Sequence, residues 1–252
     1  MKRKLWILWL QGFEQAPYVV TKCLHSWKVH NRDGWDIVEL TEKNIGQYVA
    51  VEGLIQQYAD KKINRIALSE IIRIELLKTY GGVWVDATTF CNKPLDSWLP
   101  EYIGNGFFAF ELKNDRLLSS WFLYGDGSNY ILDKWHEAVF GFVNSRNVVG
   151  TQTVHVSIDE WEQRVDHVHY FWFHYLFGDL VRQNEDFRCQ WDKVEKISAD
   201  GLHLIQTKGM LKPITADLKK IIVRKDYPLF KLTYKYQHEE ISDSILAFLF
   251  QH

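Results

Sequence analysis

The chain has 252 residues, 46% hydrophobic and 25% charged, with a net charge of −2. That length suffices for one sizeable α/β domain without demanding two, and so small a net charge leaves no basic field for nucleic acid. The anomaly is aromatic content: 11 Trp, 12 Tyr and 15 Phe make up 15% of the chain, side chains that fill cores and also stack on bases and sugar faces.

Met1-Lys2-Arg3-Lys4 followed by Leu5–Leu10 imitates the start of a signal peptide. The apolar run breaks at Gln11, too soon for a signal core, and no stretch is long enough to span a bilayer. Cys23, Cys91 and Cys189 are far apart with no paired spacing, which fits a reducing compartment and no zinc site. The expected location is therefore cytoplasmic. Leu5–Leu10 itself reads as a central, parallel strand ending in a Gln11-Gly12-Phe13 turn, with Trp9 and Gln11 at the carboxyl edge of a sheet. Taken alone, Trp9 reads first as a core tryptophan. Ala16-Pro17-Tyr18 opens a helix to Val29, with Pro17 suited to its first turn. Trp35–Leu40 is a second strand, followed by Thr41 as a helix cap with Asn44 three residues on. Helical segments are expected over Val51–Tyr58 and Ile63–Lys78.

The second of those helices leads into the most informative stretch, Tyr80-Gly81-Gly82-Val83-Trp84-Val85-Asp86-Ala87-Thr88-Thr89-Phe90. Ile71, Ile74 and Leu77 recur three apart on one helical face. Gly81 and Gly82 stop the helix, because glycine accepts the left-handed turn after a last helical residue. Val83-Trp84-Val85 is short and β-prone, as a buried strand would be. Asp86 follows at once, where open α/β sheets bind ligands. A carboxylate there needs a cation or a donor. The plainer reading is an Asp capping a turn through its own backbone. Glu70 and Arg73 lie one turn apart on the preceding helix; Arg offers a fork for phosphate or carboxylate, and Glu an acceptor for hydroxyls.

Beyond the motif, Cys91–Leu95 is a turn, Phe107–Leu112 a strand and Trp121–Tyr124 another. Gly125–Asn129 is a loop, the kind of segment that carries binding residues. Tyr130–Val143 is helical, and Gly150–Thr153 a loop. His167-Val168-His169 through His174-Tyr175 is rich in histidine, but its spacing is no zinc motif and its aromatic density favours packing; His174 is the member that would face an acceptor. Helix gives way to loop over Asp192–Ser198, and Pro213–Lys220 carries a short helix. Pro228–Lys235 alternates like an edge strand whose lysines guard the edge. Ile241–Phe250 reads as a short amphipathic helix, docked on the body or touching a membrane or partner.

The block from Ser69 to Asp86 resembles the helix–Tyr-Gly-Gly–strand–Asp-x-Asp segment of GT-A-type glycosyltransferases, family 32 and the capsular polysaccharide synthesis branch above all. It is similar at Ser69, Arg73, Tyr80, Gly81, Gly82, Trp84 and Asp86. Glu70 stands where the family usually has Asp, and Thr88 where the motif's second aspartate would be. The start, Trp6 to Gly12, resembles the family's nucleotide-pocket segment, which carries over Trp9, Gln11 and Gly12. Leu40, Asn44 and Tyr48 match another block, with helix packing as the simpler account. Lys231-Leu232-Thr233-Tyr234-Lys235 resembles a tail block; in related folds the tail closes over the diphosphate, so Lys231 and Lys235 become phosphate partners.

The resemblance implies a single GT-A-like, Rossmann-like α/β domain over 1–252, with a mixed, mostly parallel sheet flanked by helices. The nucleotide part would cover about 1–112, and the acceptor part and closing tail about 113–252. It implies a hexosyltransferase using a sugar nucleotide, UDP-linked, with retention, in bacterial capsule or surface polysaccharide synthesis. Mn2+ or Mg2+ would sit on Asp86 and the Thr88 position, since hard cations take phosphate and water as further ligands. Asp86, Arg73 and Glu70 are the expected catalytic set. Trp9, Gln11, Gly12, Ser69, Arg73, Trp84, Asp86, Lys231 and Lys235 are the expected nucleotide-binding set. The acceptor would be an oligosaccharide or lipid-linked glycan, with peripheral contact to the inner membrane face or to other assembly enzymes. The alternative is a sugar-nucleotide-binding module without chemistry, which Thr88 favours. Dinucleotide enzymes and P-loop kinases are set aside, because neither glycine signature occurs.

Overall fold

The computed structural model describes residues 2–50, 52–60, 63–113, 116–146 and 165–252. Strands are β1 (Arg3–Leu8), β2 (Trp35–Leu40), β3 (Gly82–Asp86), β4 (Thr89–Cys91), β5 (Phe107–Glu111), β6 (Leu118–Gly125) and β7 (Leu229–Lys231). Helices are α1 (Tyr18–Asn31), α2 (Glu52–Ala59), α3 (Arg65–Tyr80), α4 (Tyr130–Arg146), α5 (Val165–Gln183), α6 (Glu185–Asp192), α7 (Leu204–Lys208), α8 (Ala216–Arg224) and α9 (Ile245–Leu249). Five strands make one mixed sheet in the order β2-β1-β3-β6-β5, and β4 pairs with β7 in a separate ladder. The α/β class is the expected one. β1 runs parallel to β2 from Arg3↔Trp35 to Leu8↔Leu40; β5 and β6 are antiparallel, with a register shift between Ala109 and Glu111.

The chain divides into two compact units. The first comprises Met1–Glu42, Val85–Tyr102 and Ser198–His252, the second Lys43–Trp84 and Ile103–Ile197. In the first, Leu5, Trp6 and Ile7 of β1 are fully buried, as a continuous apolar strand must be. β1 stops at Leu8, two residues earlier than the hydrophobic run suggested, because a turn bonded from Gly12 N–H to Trp9 O takes over. The expected helix at Thr41 is absent: the chain turns there and makes only a short 3-10 turn at Ile45–Gln47. The tail packs inward. α9, capped by Ser244 Oγ on Ala247 N–H, buries Ile245, Leu246 and Leu249 in a core shared with Cys23, Phe90 and Phe230. It is shorter than expected and docked on the body.

In the second unit, α3 starts at Asn64, whose side chain accepts from Ala67 N–H at 2.8 Å. Ile71, Ile74 and Leu77 are fully buried, each removal from water stabilising by roughly 1.5–3 kcal/mol. The double-glycine stop is as expected: Gly81 has φ 65° and ψ −166°, and its N–H bonds Leu77 O at 3.0 Å. A Cβ on Gly81 would lie 3.0 Å from Gly125 O and from the Asp126 carbonyl carbon, so the site needs glycine for space as well as for φ. Aromatics fill this unit's core. Trp135 meets Phe173 at 4.1 Å between ring centroids and donates its Nε1–H to Phe173 O at 3.1 Å.

The expected loop at Gly150–Thr153 lies outside the described residues, as do the side chains of His167 and His169. Trp172, Phe173, His174 and Tyr175 are buried, in keeping with packing; His174 is too enclosed to face an acceptor. No helix among the described residues is long and apolar enough to cross a membrane.

Candidate active site

Asp86 closes β3, and the next turn hands the chain to β4. That short strand pairs with β7 in the register Thr89↔Lys231, Phe90↔Phe230 and Cys91↔Leu229, extended by Leu232 N–H to Thr88 O at 2.9 Å. Phe230 and Leu229 are fully buried, so the ladder cannot slip without exposing them. Lys231 is thereby aimed back across the turn. Its Nζ donates to Asp86 Oδ2 at 2.9 Å and to Thr88 Oγ1 at 2.8 Å. The Lys231 side chain is 15% exposed and that of Asp86 32%, so the pair opens partly to solvent. Asp86 has thus found the cation that a strand-end carboxylate requires. Three residues on, Tyr234 sets its ring edge-on to Trp9, 5.4 Å between centroids. The segment 231–234 therefore reaches both Asp86 and Trp9.

Lys235 is exposed and stands apart from that cluster in role: of the two tail lysines, only Lys231 engages Asp86. Gln11 is exposed and Gly12 has φ 91° with open space at its Cβ position, so backbone conformation is what requires glycine there. The sequence reading missed Tyr234 and missed β4. The signal for β4 was three residues, Thr89-Phe90-Cys91, too short to stand out from the turn around them.

Ser69, Glu70, Arg73 and Trp84 belong to the second unit. Arg73 is 4% exposed. Its Nη1 donates to Ser120 O at 2.6 Å, its Nε to Ser69 O at 3.3 Å and its Nη2 to Ser69 Oγ at 3.2 Å. The guanidinium lies 5.1 Å from the Trp84 ring centroid and 5.8 Å from that of Phe173. The fork expected for a diphosphate or carboxylate is thus turned, in this structure, onto backbone carbonyls and Ser69 and is flanked by rings. Trp84 is 1% and Glu70 3% exposed, so both of these expected site residues are buried. Ser69 Oγ also donates to Ile66 O, which commits it to its own helix. In the loop after β6, Asp126 Oδ1 accepts from Ser128 N–H, and Asn129 bonds Asn105 O and Ile131 N–H. Those polar groups shape the loop and start α4.

The divalent ion expected on Asp86 and Thr88 would take oxygen ligands at roughly 2.0–2.6 Å. Two of the side-chain oxygens it would use are those that accept from Lys231. A dication roughly 4 Å from that ammonium would be repelled by about 8 kcal/mol at an effective dielectric near 20. One carboxylate and one neutral hydroxyl are weak compensation. Among the described residues, no three His, Cys, Asp or Glu side chains converge as a metal site. This donor set does not fit a resident metal. The cysteines do not offer one either: burial pushes the Cys23 thiol far up and the Cys91 thiol up to about 12, which keeps both as inert thiols.

The chain is similar to proteins named as glycosyltransferases. Glycosyltransferase afumC of Aspergillus fumigatus is 26% identical over 104 residues, 38% of this chain and 27% of its own length. An uncharacterized glycosyltransferase of Acanthamoeba polyphaga mimivirus, L373, is 28% identical over 117 residues, 42% of each. The chain spans less than half the length of these relatives. Among solved structures, PaToxG glycosyltransferase aligns over 99% of this chain and 87% of its own at 14% identity, with a TM-score of 0.46. The family model described as capsular polysaccharide synthesis protein matches residues 1–250, and the chain belongs to that family.

Proposed function

We propose that this chain is a glycosyltransferase that moves a hexose from a UDP-sugar to a glycan acceptor during bacterial surface polysaccharide assembly. Membership of the capsular family and the names of the relatives support this reading. The single observation that carries it is the ammonium of Lys231, held by Asp86 and Thr88 where β3 ends and still partly open. A fixed cation there suits a leaving diphosphate, because a preorganised charge stabilises the negative charge that develops on departure. Trp9 and Tyr234 offer an aromatic pair for the base.

In the reaction, the acceptor hydroxyl oxygen bonds the anomeric carbon as the bond from that carbon to the β-phosphate oxygen breaks. The electron pair leaves with the nucleoside diphosphate. The hydroxyl proton passes to a departing phosphate oxygen and on to water, so no separate base is assigned, in keeping with retention. The site of action is the cytoplasm, at the inner face of the membrane where lipid-linked acceptors are met.

The test is a panel of sugar nucleotides offered with water as acceptor, wild type beside Asp86→Ala. Wild type should release the diphosphate slowly from UDP-sugars, and the variant, whose Lys231 loses the carboxylate that fixes its ammonium in place, should be slower by about 100-fold, the scale for losing a preorganised donor at a leaving group. Binding without release would support the non-catalytic module instead. Equal rates in the two proteins would remove Asp86 from the site.

A further inference from the structure

Resting on the reading just given, we propose that Lys231 takes the place of a divalent metal, so that this chain binds and turns over its sugar nucleotide without one. Asp86, Thr88 and Lys231 together sum to zero: one carboxylate, one neutral hydroxyl, one ammonium. The carboxylate is already matched, and a dication added to the same oxygens would leave the cluster with two uncompensated positive charges. The cation that the diphosphate needs is built into the chain.

Geometry points the same way. An ammonium has three N–H bonds and no acceptor. Two of them go to Asp86 Oδ2 and Thr88 Oγ1; among the described residues the third has no protein acceptor, and it is the one available to a phosphate oxygen. The β4–β7 register and the Leu232 N–H to Thr88 O bond hold the lysine backbone in place. The long side chain is thus ordered before substrate arrives, which lowers the entropy cost of engaging an anion. Thr88 has its own part in this. A hydroxyl supports the ammonium as a neutral acceptor, where a second carboxylate would over-neutralise it and weaken its pull on phosphate.

The experiment is calorimetric titration of UDP, GDP and inorganic pyrophosphate into the full chain, in excess EDTA and again with Mn2+, alongside diphosphate release from UDP-sugars under both conditions. The expected result is the same affinity and the same slow release with and without metal. Lys231→Met, which keeps the apolar stem, should weaken binding by about 10-fold or more, the scale of one hydrogen bond to a charged group. Lys220→Ala, an exposed lysine paired with Asp217 on α8, should change nothing. Circular dichroism confirms folding of each variant, and the EDTA arm needs no variant at all. Binding or release that vanishes in EDTA and returns with Mn2+ would overturn the proposal while leaving the glycosyltransferase reading intact. Unchanged affinity in Lys231→Met would overturn it by reducing Lys231 to a structural partner of Asp86. Failure of wild type to bind any of the three probes, with or without Mn2+, would take both readings down together.

Discussion

Lys231 and Arg73 are both cations held by hydrogen bonds, and the fold holds them to opposite ends. Arg73 is sealed: its donors go to the Ser120 and Ser69 carbonyls and the Ser69 hydroxyl, and Trp84 and Phe173 lie against its guanidinium. Lys231 is only partly enclosed, spends two of its three N–H bonds on Asp86 and Thr88, and borders solvent. The difference teaches that a cation's type says little about its role. A planar fork with five donors suits a buried crossing of backbone carbonyls, whereas an ammonium held from one side can still turn a donor outward.

The comparison breaks most visibly at Arg73. Arg73→Met should cost about 3 kcal/mol or more in urea unfolding, because it strips buried carbonyls of their donor while leaving the rings in place. A cost under about 1 kcal/mol, the scale of an exposed contact, would mean the guanidinium is not structural. Gly81→Ala comes next, at about 2 kcal/mol, since the backbone there is in a region that only glycine adopts freely and the added methyl meets the Gly125 and Asp126 backbone. A melting temperature unmoved by that change would show that the turn tolerates another conformation.

The smallest effect separates the same unit by pH. Glu75 on α3 faces His136 on α4, Oε2 to Nε2, at 2.6 Å, and the hydrogen bond from His136 holds the Glu75 carboxyl below its ordinary range. A depressed carboxyl takes up its proton more readily when unfolded. The stability it adds is therefore present above the ordinary glutamate value and lost as pH falls through the folded one. His136→Gln should flatten the acid side of the stability profile by about 1 kcal/mol at most, as partly exposed pairs do. Identical profiles below pH of about 4.5, the region of the ordinary glutamate value, would show that the pair contributes nothing.

Much of the local structure was legible from residues alone. The three-residue recurrence of Ile71, Ile74 and Leu77 dictates one buried face of α3. Gly81 and Gly82 end it for reasons of φ, and the strand Val83–Val85 then has one place to go. That is sufficient to put Asp86 at a strand end. Where such reasoning went astray, at Thr41 and in the extent of Ile241–Phe250, the segments were short, and tertiary packing overrode a cap signal or an apolar pattern. The burial of Arg73 and Glu70 was also out of reach, since a helical pattern does not say how thickly its polar face will be covered.

Propensity and periodicity over a few residues therefore dictate the chain's local grammar: the helix, its glycine stop, the apolar strand, and a carboxylate delivered to its end. The company that carboxylate keeps comes from long-range packing alone. Lys231 lies 145 residues away, and it arrives through the pairing of two three-residue strands, neither of which carries a pattern strong enough to announce its partner. Register across so long a separation is set by burial of Phe230 and Leu229 against the assembled core, a property of the folded chain and of no segment within it.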